Sequence, residues 1–298
     1  MEKTILQYQK AFNSTIDRLK ANDFVLAVMV FGSMVTGDLW DESDIDLLVV
    51  FDNKRGSIKN IYTEEKGIQI HVKLVSKSKF LQMPEKNLKG GFISRIISSS
   101  RLVFSKDKEI TSKYDTGRYY SDLDRERWNM YYIGELFKSI GICKKYLQND
   151  NVYTAYIAAV RSVEEFSKLY VNSSGHMISK DSMTISMNLN DSFKKCVDKL
   201  FSKNENIVDS INSTIDYLTE NVDRNIRNTT KLLLNYMREK DCFLSSEDIK
   251  NDELFYHYNI NMEEILNKLW ERNILKKETR NYKLKDGTVL FKENVYFI

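Results

Sequence analysis

Two aspartates one residue apart, Asp44 and Asp46, open the run Ile45-Asp46-Leu47-Leu48-Val49-Val50, and Gly32-Ser33 ends an earlier apolar run at 24–31. Alternation along a strand puts both carboxylates on one face and turns Ile45 and Leu47 into a core. Two like charges that close are costly unless a cation sits between them. A carboxylate pair at a strand start suits one or two Mg²⁺ ions, which take carboxylates together with substrate phosphate oxygens. Gly32 lets backbone N–H groups approach an anion closely, and Ser33 adds a hydroxyl donor. Phosphate donors and a two-metal carboxylate site at adjacent strand ends describe a site for a nucleoside triphosphate.

The segment 31–50 resembles the signature of the DNA polymerase β-type nucleotidyltransferase superfamily: an apolar residue, Gly-Ser, a loop, then Asp-apolar-Asp-apolar. Gly37 and Ser43-Asp44-Ile45-Asp46-Leu47 resemble most the minimal and antibiotic-modifying branches. The likeness is specific in this segment and extends loosely over residues 1–110. It implies transfer of a nucleoside monophosphate from a Mg-bound triphosphate, with ATP the expected donor, and release of pyrophosphate. By the same resemblance Gly32 and Ser33 hold the triphosphate and Asp44 and Asp46 ligate the two metals. The acceptor is left open between a small hydroxyl compound, a protein and an RNA end.

The superfamily usually carries a third carboxylate on a later strand, where it shares a metal and activates the acceptor hydroxyl. The equivalent strand here, 67–74, offers Gln69, His71 and Lys73 on its outward face and no acid. His71 is therefore the expected general base, since an imidazole ordinarily titrates near neutrality. Glu64 or Glu65 on the approach to that strand, or Glu164 or Glu165 from the helical region, are the alternatives. The missing acid also supports a second reading: a catalytically weakened, nucleotide-binding regulator that uses a C-terminal winged helix to contact DNA.

The elements that must position these groups are legible from periodicity. Leu6, Phe12, Ile16 and Leu19 recur at helical spacing. Strands are expected at 24–31, 45–51, 68–75 and, at an edge, 102–104. From about 124 to 239 the pattern is helical, with Trp128, Tyr131, Tyr132, Leu136 and Ile140 on one face and Tyr156, Val160, Val163, Phe166 and Tyr170 on another; further helices are expected at 191–203 and 206–239. A short helix near 246–258 precedes one bearing Met262, Ile265, Leu266, Leu269 and Trp270. Two strands, 274–284 and 289–297, follow around Asp286-Gly287, a hairpin dipeptide. Helix, helix, hairpin is the order of a winged helix.

The expected class is α+β in three parts: a nucleotidyltransferase fold at 1–112 (mixed sheet with helices), a helical bundle at 113–240 that shapes the acceptor site, and a winged helix at 241–298. This three-part order also resembles a group of bacterial nucleotidyltransferase-like proteins. Lys89-Gly90-Gly91, Arg95 and Arg101 are weaker candidates for phosphate contact, and the pairs Tyr119-Tyr120 and Tyr131-Tyr132 read as bundle core. The bundle has no Arg-x₄₋₆-His ribonuclease pattern. In the second winged-helix helix, Glu263, Glu264 and Glu271 offset Lys268 and Arg272, while Lys276, Lys277, Arg280, Lys283 and Lys285 gather along the wing, so nucleic-acid contact is expected to be weak and through the wing.

Composition sets outer limits. The 298 residues are 42% hydrophobic and 29% charged, with 45 basic against 42 acidic side chains, which excludes a disordered chain and a chain-wide polycation. The longest apolar run, 24–31, falls far short of the ~20 residues of a membrane span. Cys143, Cys196 and Cys242 form no disulfide framework or metal knuckle, and His71, His176 and His257 are too scattered for a zinc site. A cytoplasmic protein with reduced thiols is the expectation.

Overall fold

The computed structural model describes residues 4–52, 58–82, 99–117, 121–178, 181–202, 206–284 and 287–298. They fall into two compact units, Met1–Tyr120 and Ser121–Ile298. The first contains helix α1 (Ile5–Ala21), strand β1 (Val25–Phe31), a single turn α2 (Ser33–Thr36), β2 (Ile45–Phe51), β3 (Lys59–Glu65), β4 (Ile68–Ser76), α3 (Lys77–Gln82), β5 (Arg101–Ser105) and α4 (Lys108–Gly117). The strands form one mixed sheet in the order β3-β4-β2-β1-β5, in which β2 and β4 are parallel and every other neighbour is antiparallel.

The central strand β2 is buried on both faces, which explains its unbroken Leu47-Leu48-Val49-Val50. Ile45, Leu47 and Val49 pack with Val28, Val30, Ile68 and Ile70 against Tyr8, Ala11 and Ile16 of α1. Leu48 and Val50 pack with Ala27, Met29 and Phe31 against Phe80 of α3 and Ile110 and Tyr114 of α4. Asp46 shares the second face with Leu48 but stands at the strand's start. A capping box between Thr4 and Gln7 starts α1.

One strand is absent from the sequence reading. β3 is exposed along almost its whole length as an edge strand, so it lacks the apolar alternation that marks a half-buried one. It is joined to β4 by Lys66-Gly67, whose φ values of 52° and 79° are the positive pair of a type I′ hairpin turn.

The second unit comprises α5 (Asp122–Gln148), α6 (Val152–Ser173), α7 (Ser182–Leu189), α8 (Asp191–Leu200), α9 (Ile207–Thr229), α10 (Lys231–Lys240), α11 (Ser246–Lys250), α12 (Met262–Glu271) and a hairpin of β6 (Lys276–Lys283) with β7 (Val289–Phe297). The helix expected over 206–239 divides at Thr230, whose hydroxyl donates to the Ile226 carbonyl at 2.7 Å and whose backbone leaves helical geometry. Tyr131 packs edge-on against both Trp128 and Tyr132 inside the bundle. Leu244 adds a bridge to the hairpin, exchanging two backbone hydrogen bonds with Tyr296 at 2.8 and 3.0 Å. One buried cluster joins Phe137 and Leu233 of the helices to Leu266, Leu269, Leu275 and Tyr296. The helices from Asp122 onward and the elements of 241–298, placed in separate parts (113–240 and 241–298) by the sequence reading, thus share a core. Residues 113–117 complete α4, in the first unit. Among the described residues no helix is long and apolar enough to cross a membrane.

The join between bundle and C-terminal elements is close. A Cβ on Gly134 of α5 would lie 3.1 Å from the Asn261 side chain and 3.3 Å from its backbone nitrogen. Asn261 in turn donates to Glu135 at 2.6 Å. Gly134→Val is expected to lower the stability of this unit by ~1–3 kcal/mol through overpacking, read as a fall in urea midpoint at unchanged m-value.

Candidate active site

The site is built from the register of three strands. Phe31 of β1 lies opposite Asp46 of β2, Asp46 opposite His71 of β4, and His71 opposite Tyr62 of β3. The chain leaves β1 at Gly32 with φ 71° and ψ −151°, a conformation essentially confined to glycine. A Cβ at this position would sit 2.5 Å from Asp46 Oδ2. Gly32 therefore serves both the turn and the approach of the carboxylate. It caps α2, whose first N–H groups have no intrahelical acceptor by helix geometry, and Ser33 Oγ lies 3.5 Å from the Asp44 carbonyl.

The loop that delivers Asp44 is held from α1. Buried Tyr8 brings its hydroxyl within 2.8 Å of the Trp40 carbonyl and 2.9 Å of the Ser43 carbonyl. Trp40 and Ser43 close the turn between themselves through Ser43 N–H to Trp40 O at 2.9 Å and Trp40 N–H to Ser43 Oγ at 3.0 Å. Burial pushes the Tyr8 phenol upward, and the charges of Asp41 and Asp44 push it further.

Asp46 and His71 meet directly, Oδ1 to Nδ1, at 3.0 Å, with side chains 27% and 16% exposed. His71 Nε2 lies 3.2 Å from Asn60 Oδ1, and Lys73 Nζ donates to the same oxygen at 3.1 Å. The lysine settles the amide orientation, since a turned amide would set –NH₂ against –NH₃⁺. Nε2 therefore faces an acceptor oxygen and is the nitrogen that donates to Asn60. Tyr62 stacks flat on the imidazole, centroids 4.6 Å apart and planes 7° from parallel. Asp46 is held above the ordinary carboxylate range: burial raises it most, the His71 hydrogen bond and charge oppose this, and Asp44 adds to the rise.

A model of the family described as polymerase beta, nucleotidyltransferase, matches residues 13–109. The first unit is a polymerase β-type nucleotidyltransferase domain. The fold extends beyond it: the crystal structure of a nucleotidyltransferase-like protein from Exiguobacterium sibiricum 255-15 matches with a TM-score of 0.66 over 97% of this chain and 99% of its own, at 13% sequence identity. No curated protein matches the chain.

The nucleotidyltransferase domain brings Gly32, Ser33, Asp44, Asp46 and His71 together at one end of β1, β2 and β4. The acidic alternatives within this domain, Glu64 and Glu65, lie on opposite faces of β3. Glu65 turns to the α1 face, bound by Ser14 and Arg18, each at 2.9 Å. Glu64 shares the His71 face but accepts from Gln69 Nε2 at 3.2 Å, two strands away from β2. Glu164 and Glu165 belong to the second unit, where both engage Lys168. Arg101 opens β5, exposed and opposite Val30. Lys89-Gly90-Gly91, Arg95, Tyr119 and Tyr120 lie outside the described residues. Asn60 and Tyr62 escaped the sequence reading, although the Lys66-Gly67 turn would have paired Tyr62 with His71. Among the described residues no group of three or more His, Cys, Asp and Glu could hold a metal.

Two outcomes follow. Gly32→Ala is expected to cost about 1–3 kcal/mol in backbone strain and to displace the Asp46 carboxylate, read as a fall in the unfolding midpoint. Because the Asp46 pKa is raised in the fold, its contribution to stability is present at low pH and lost as pH rises through the raised value. Metal-free Asp46→Asn should therefore melt above wild type at pH 7, with the gap closing as pH falls through the carboxylate range; equal melting at both ends would contradict this.

Proposed function

We propose that the domain transfers a nucleoside monophosphate from a nucleoside triphosphate, ATP being the expected donor, to a hydroxyl-bearing acceptor. The acceptor oxygen bonds to the α-phosphorus, the bond to the bridging oxygen breaks, and pyrophosphate leaves. The observation that carries this reading is the approach of Gly32 to Asp46, which sets phosphate-binding backbone against a carboxylate of the Asp44/Asp46 pair. Those two carboxylates suit Mg²⁺, whose remaining ligands are phosphate oxygens and water. When bound, the ions neutralise phosphate charge and polarise the attacked phosphorus.

The chain's own groups supply position and a proton acceptor. Gly32 and Ser33 hold the triphosphate. Asn60 keeps the His71 proton on Nε2, so the lone pair of the neutral ring is on Nδ1, the nitrogen beside Asp46. A hydroxyl taking the place next to Nδ1 gives up its proton there. Lys73 acts one step further back, by orienting Asn60.

A second reading, the weakened regulator that contacts DNA through the C-terminal hairpin, draws support from the imidazole standing where an acid would share a metal. Calorimetry with Mg²⁺ and ATP separates the two from an inert fold. Mg²⁺ should raise ATP affinity, and Asp44→Asn with Asp46→Asn should abolish the enhancement; an unchanged Mg²⁺ dependence would remove the basis for the site. In label transfer from an NTP, His71→Ala should lower turnover by roughly 10²–10⁴ with ATP affinity retained. His71→Asn, which keeps a donor toward Asp46 but has no base, should stay at the low level. Full turnover in His71→Asn would make the residue a positioning group only.

A further inference from the structure

The end of the C-terminal hairpin is apolar. Phe291 is 71% exposed, and Tyr282, Leu284, Val289 and Leu290 are 43–48% exposed. None of the five joins the core that holds the base of the hairpin through Tyr296. The tip is closed by its own bonds: Gly287 N–H donates to Leu284 O at 2.9 Å, and Leu284 N–H to Thr288 O at 2.8 Å. Cross-strand pairing sets Tyr282 beside Phe291 on one face and Val289, opposite Lys283, on the other. Leu290 is the extra residue of the bulge between these pairs. Apolar groups therefore face outward on both sides of the hairpin. One step toward the base the strands turn polar, with Asn281 opposite Lys292 and Arg280 opposite Glu293.

The charge around this tip is positive. Lys283 and Lys292 adjoin Tyr282 and Phe291, are exposed, and have no hydrogen-bond or ion-pair partner among the described residues. Toward the base, the first acid on β7, Glu293, is bound by Arg280 at 2.8 Å, and the first on β6, Glu278, lies back at the level of buried Val295. Lys285 and Asp286, outside the described residues, cancel in charge. A protein or nucleic-acid groove that received one face of the hairpin would leave the apolar groups of the other face in water, whereas a fluid interfacial layer surrounds a tip on every side. We propose that the hairpin tip inserts into the surface of a bilayer containing anionic phospholipids. Leu284, Val289, Leu290 and Phe291 enter the boundary between headgroups and acyl chains, and Tyr282 stays at headgroup level with its hydroxyl in water. Lys283 and Lys292 extend their stems along the apolar surface and pair with lipid phosphates. The apolar stretch takes two or three residues of each strand, about 7–10 Å at the rise of a strand, which matches the depth of interfacial segments. At that depth the unpaired edge groups of the hairpin still meet water and headgroups, so two strands suffice where a span would need a closed barrel. This contact is separate from nucleotidyl transfer and does not depend on Asp44 or Asp46.

The test sediments the full chain with sucrose-loaded vesicles, either of phosphatidylcholine alone or of phosphatidylcholine and phosphatidylglycerol in equal parts. Wild type should bind the mixed vesicles, bind the neutral ones far more weakly, and lose affinity as salt is raised. Leu290→Ser with Phe291→Ser should lower the partition constant roughly tenfold or more. Lys283→Ala with Lys292→Ala should lower it roughly twentyfold, about fivefold per lysine, and flatten the salt dependence. Phe291→Trp should bind at least as well as wild type, because indole favours the interface. All three variants should keep the wild-type melting midpoint, since these side chains serve no core, so a loss of binding is not a loss of fold. Failure of wild type to bind the mixed vesicles would overturn the proposal, as would undiminished binding by the double serine variant or by the double alanine variant. A wild-type dimer that the double serine variant dissolves, with no vesicle binding, would assign the tip to a second copy of this chain and overturn it. Binding of duplex DNA that the same variant loses, again with no vesicle binding, would overturn it in favour of nucleic acid.

Discussion

The absence of a side chain at Gly32 is the constraint on which the site depends. Only because that position has no Cβ can the Asp46 carboxylate approach the end of β1, and only a glycine tolerates the backbone conformation that turns β1 into α2. The sheet does the rest through register. With Asp46 opposite Phe31, parallel pairing to β4 brings His71 to its other side, and the tight Lys66-Gly67 turn sets Tyr62 beyond it. A shift of one residue anywhere in this series would turn the carboxylate, the imidazole or the ring to the α1 face. Burial of β2 on both faces makes such a slip costly, because it would exchange two sets of core residues at once.

The same packing that secures the strand makes its first carboxylate uncomfortable. Asp46 is partly desolvated, feels the charge of Asp44, and is compensated by the His71 imidazole and, less, by the charge of Lys73. In a structural role the residue would be better as asparagine or leucine. The proposed metal-binding role requires a carboxylate here, at a cost in stability offset by the apolar core below. His71 is restrained in a complementary way: one nitrogen fixed by Asn60, one shared with Asp46, and the ring plane set by Tyr62. Such restraint reduces the reorganisation needed when a substrate arrives.

What could be read from sequence follows from which information is local. β2 appears at its observed bounds because an apolar run flanked by Asp-x-Asp is a local pattern, and α1 and β4 are legible for the same reason. β3 is not, because an exposed edge strand has no burial to imprint a period of two on its residues. With β3 unseen, Asn60 and Tyr62 had no neighbours to be assigned to; their meaning lies in pairing with β4. Glu64 and Glu65, adjacent in the chain and equivalent as candidates, were divided by the pleat into opposite faces. The break at Thr230 was obscured because apolar spacing continues through it, while the interruption comes from a threonine hydroxyl bonding back to Ile226. The shared core of the helices and the C-terminal elements depends on Leu275 and Tyr296, remote in sequence from Phe137 and Leu233.

The C-terminal hairpin shows why counted charge is a poor guide to nucleic-acid contact. Its basic residues look available in the sequence, yet Arg280 is divided between Asp248 at 2.6 Å and Glu293 at 2.8 Å, and these bonds raise its pKa. Lys277 donates to Asn267 at 2.7 Å and lies over the rings of Trp270 and Tyr296. On α12, Glu263 accepts from Tyr296 and Asn294, so this acid also works within the module rather than on its surface. A phosphate would have to displace carboxylates already bonded to Arg280, exchanging one charge-assisted pair for another with little gain. The pairs instead fasten the hairpin to the end of α11 and to α12, and Tyr296 carries that attachment into the core. At Arg280 and Lys277 the charge that suggests a DNA-reading wing therefore has a structural purpose, which weakens the regulator reading on its own ground and favours the proposed site at the carboxylate end of the sheet.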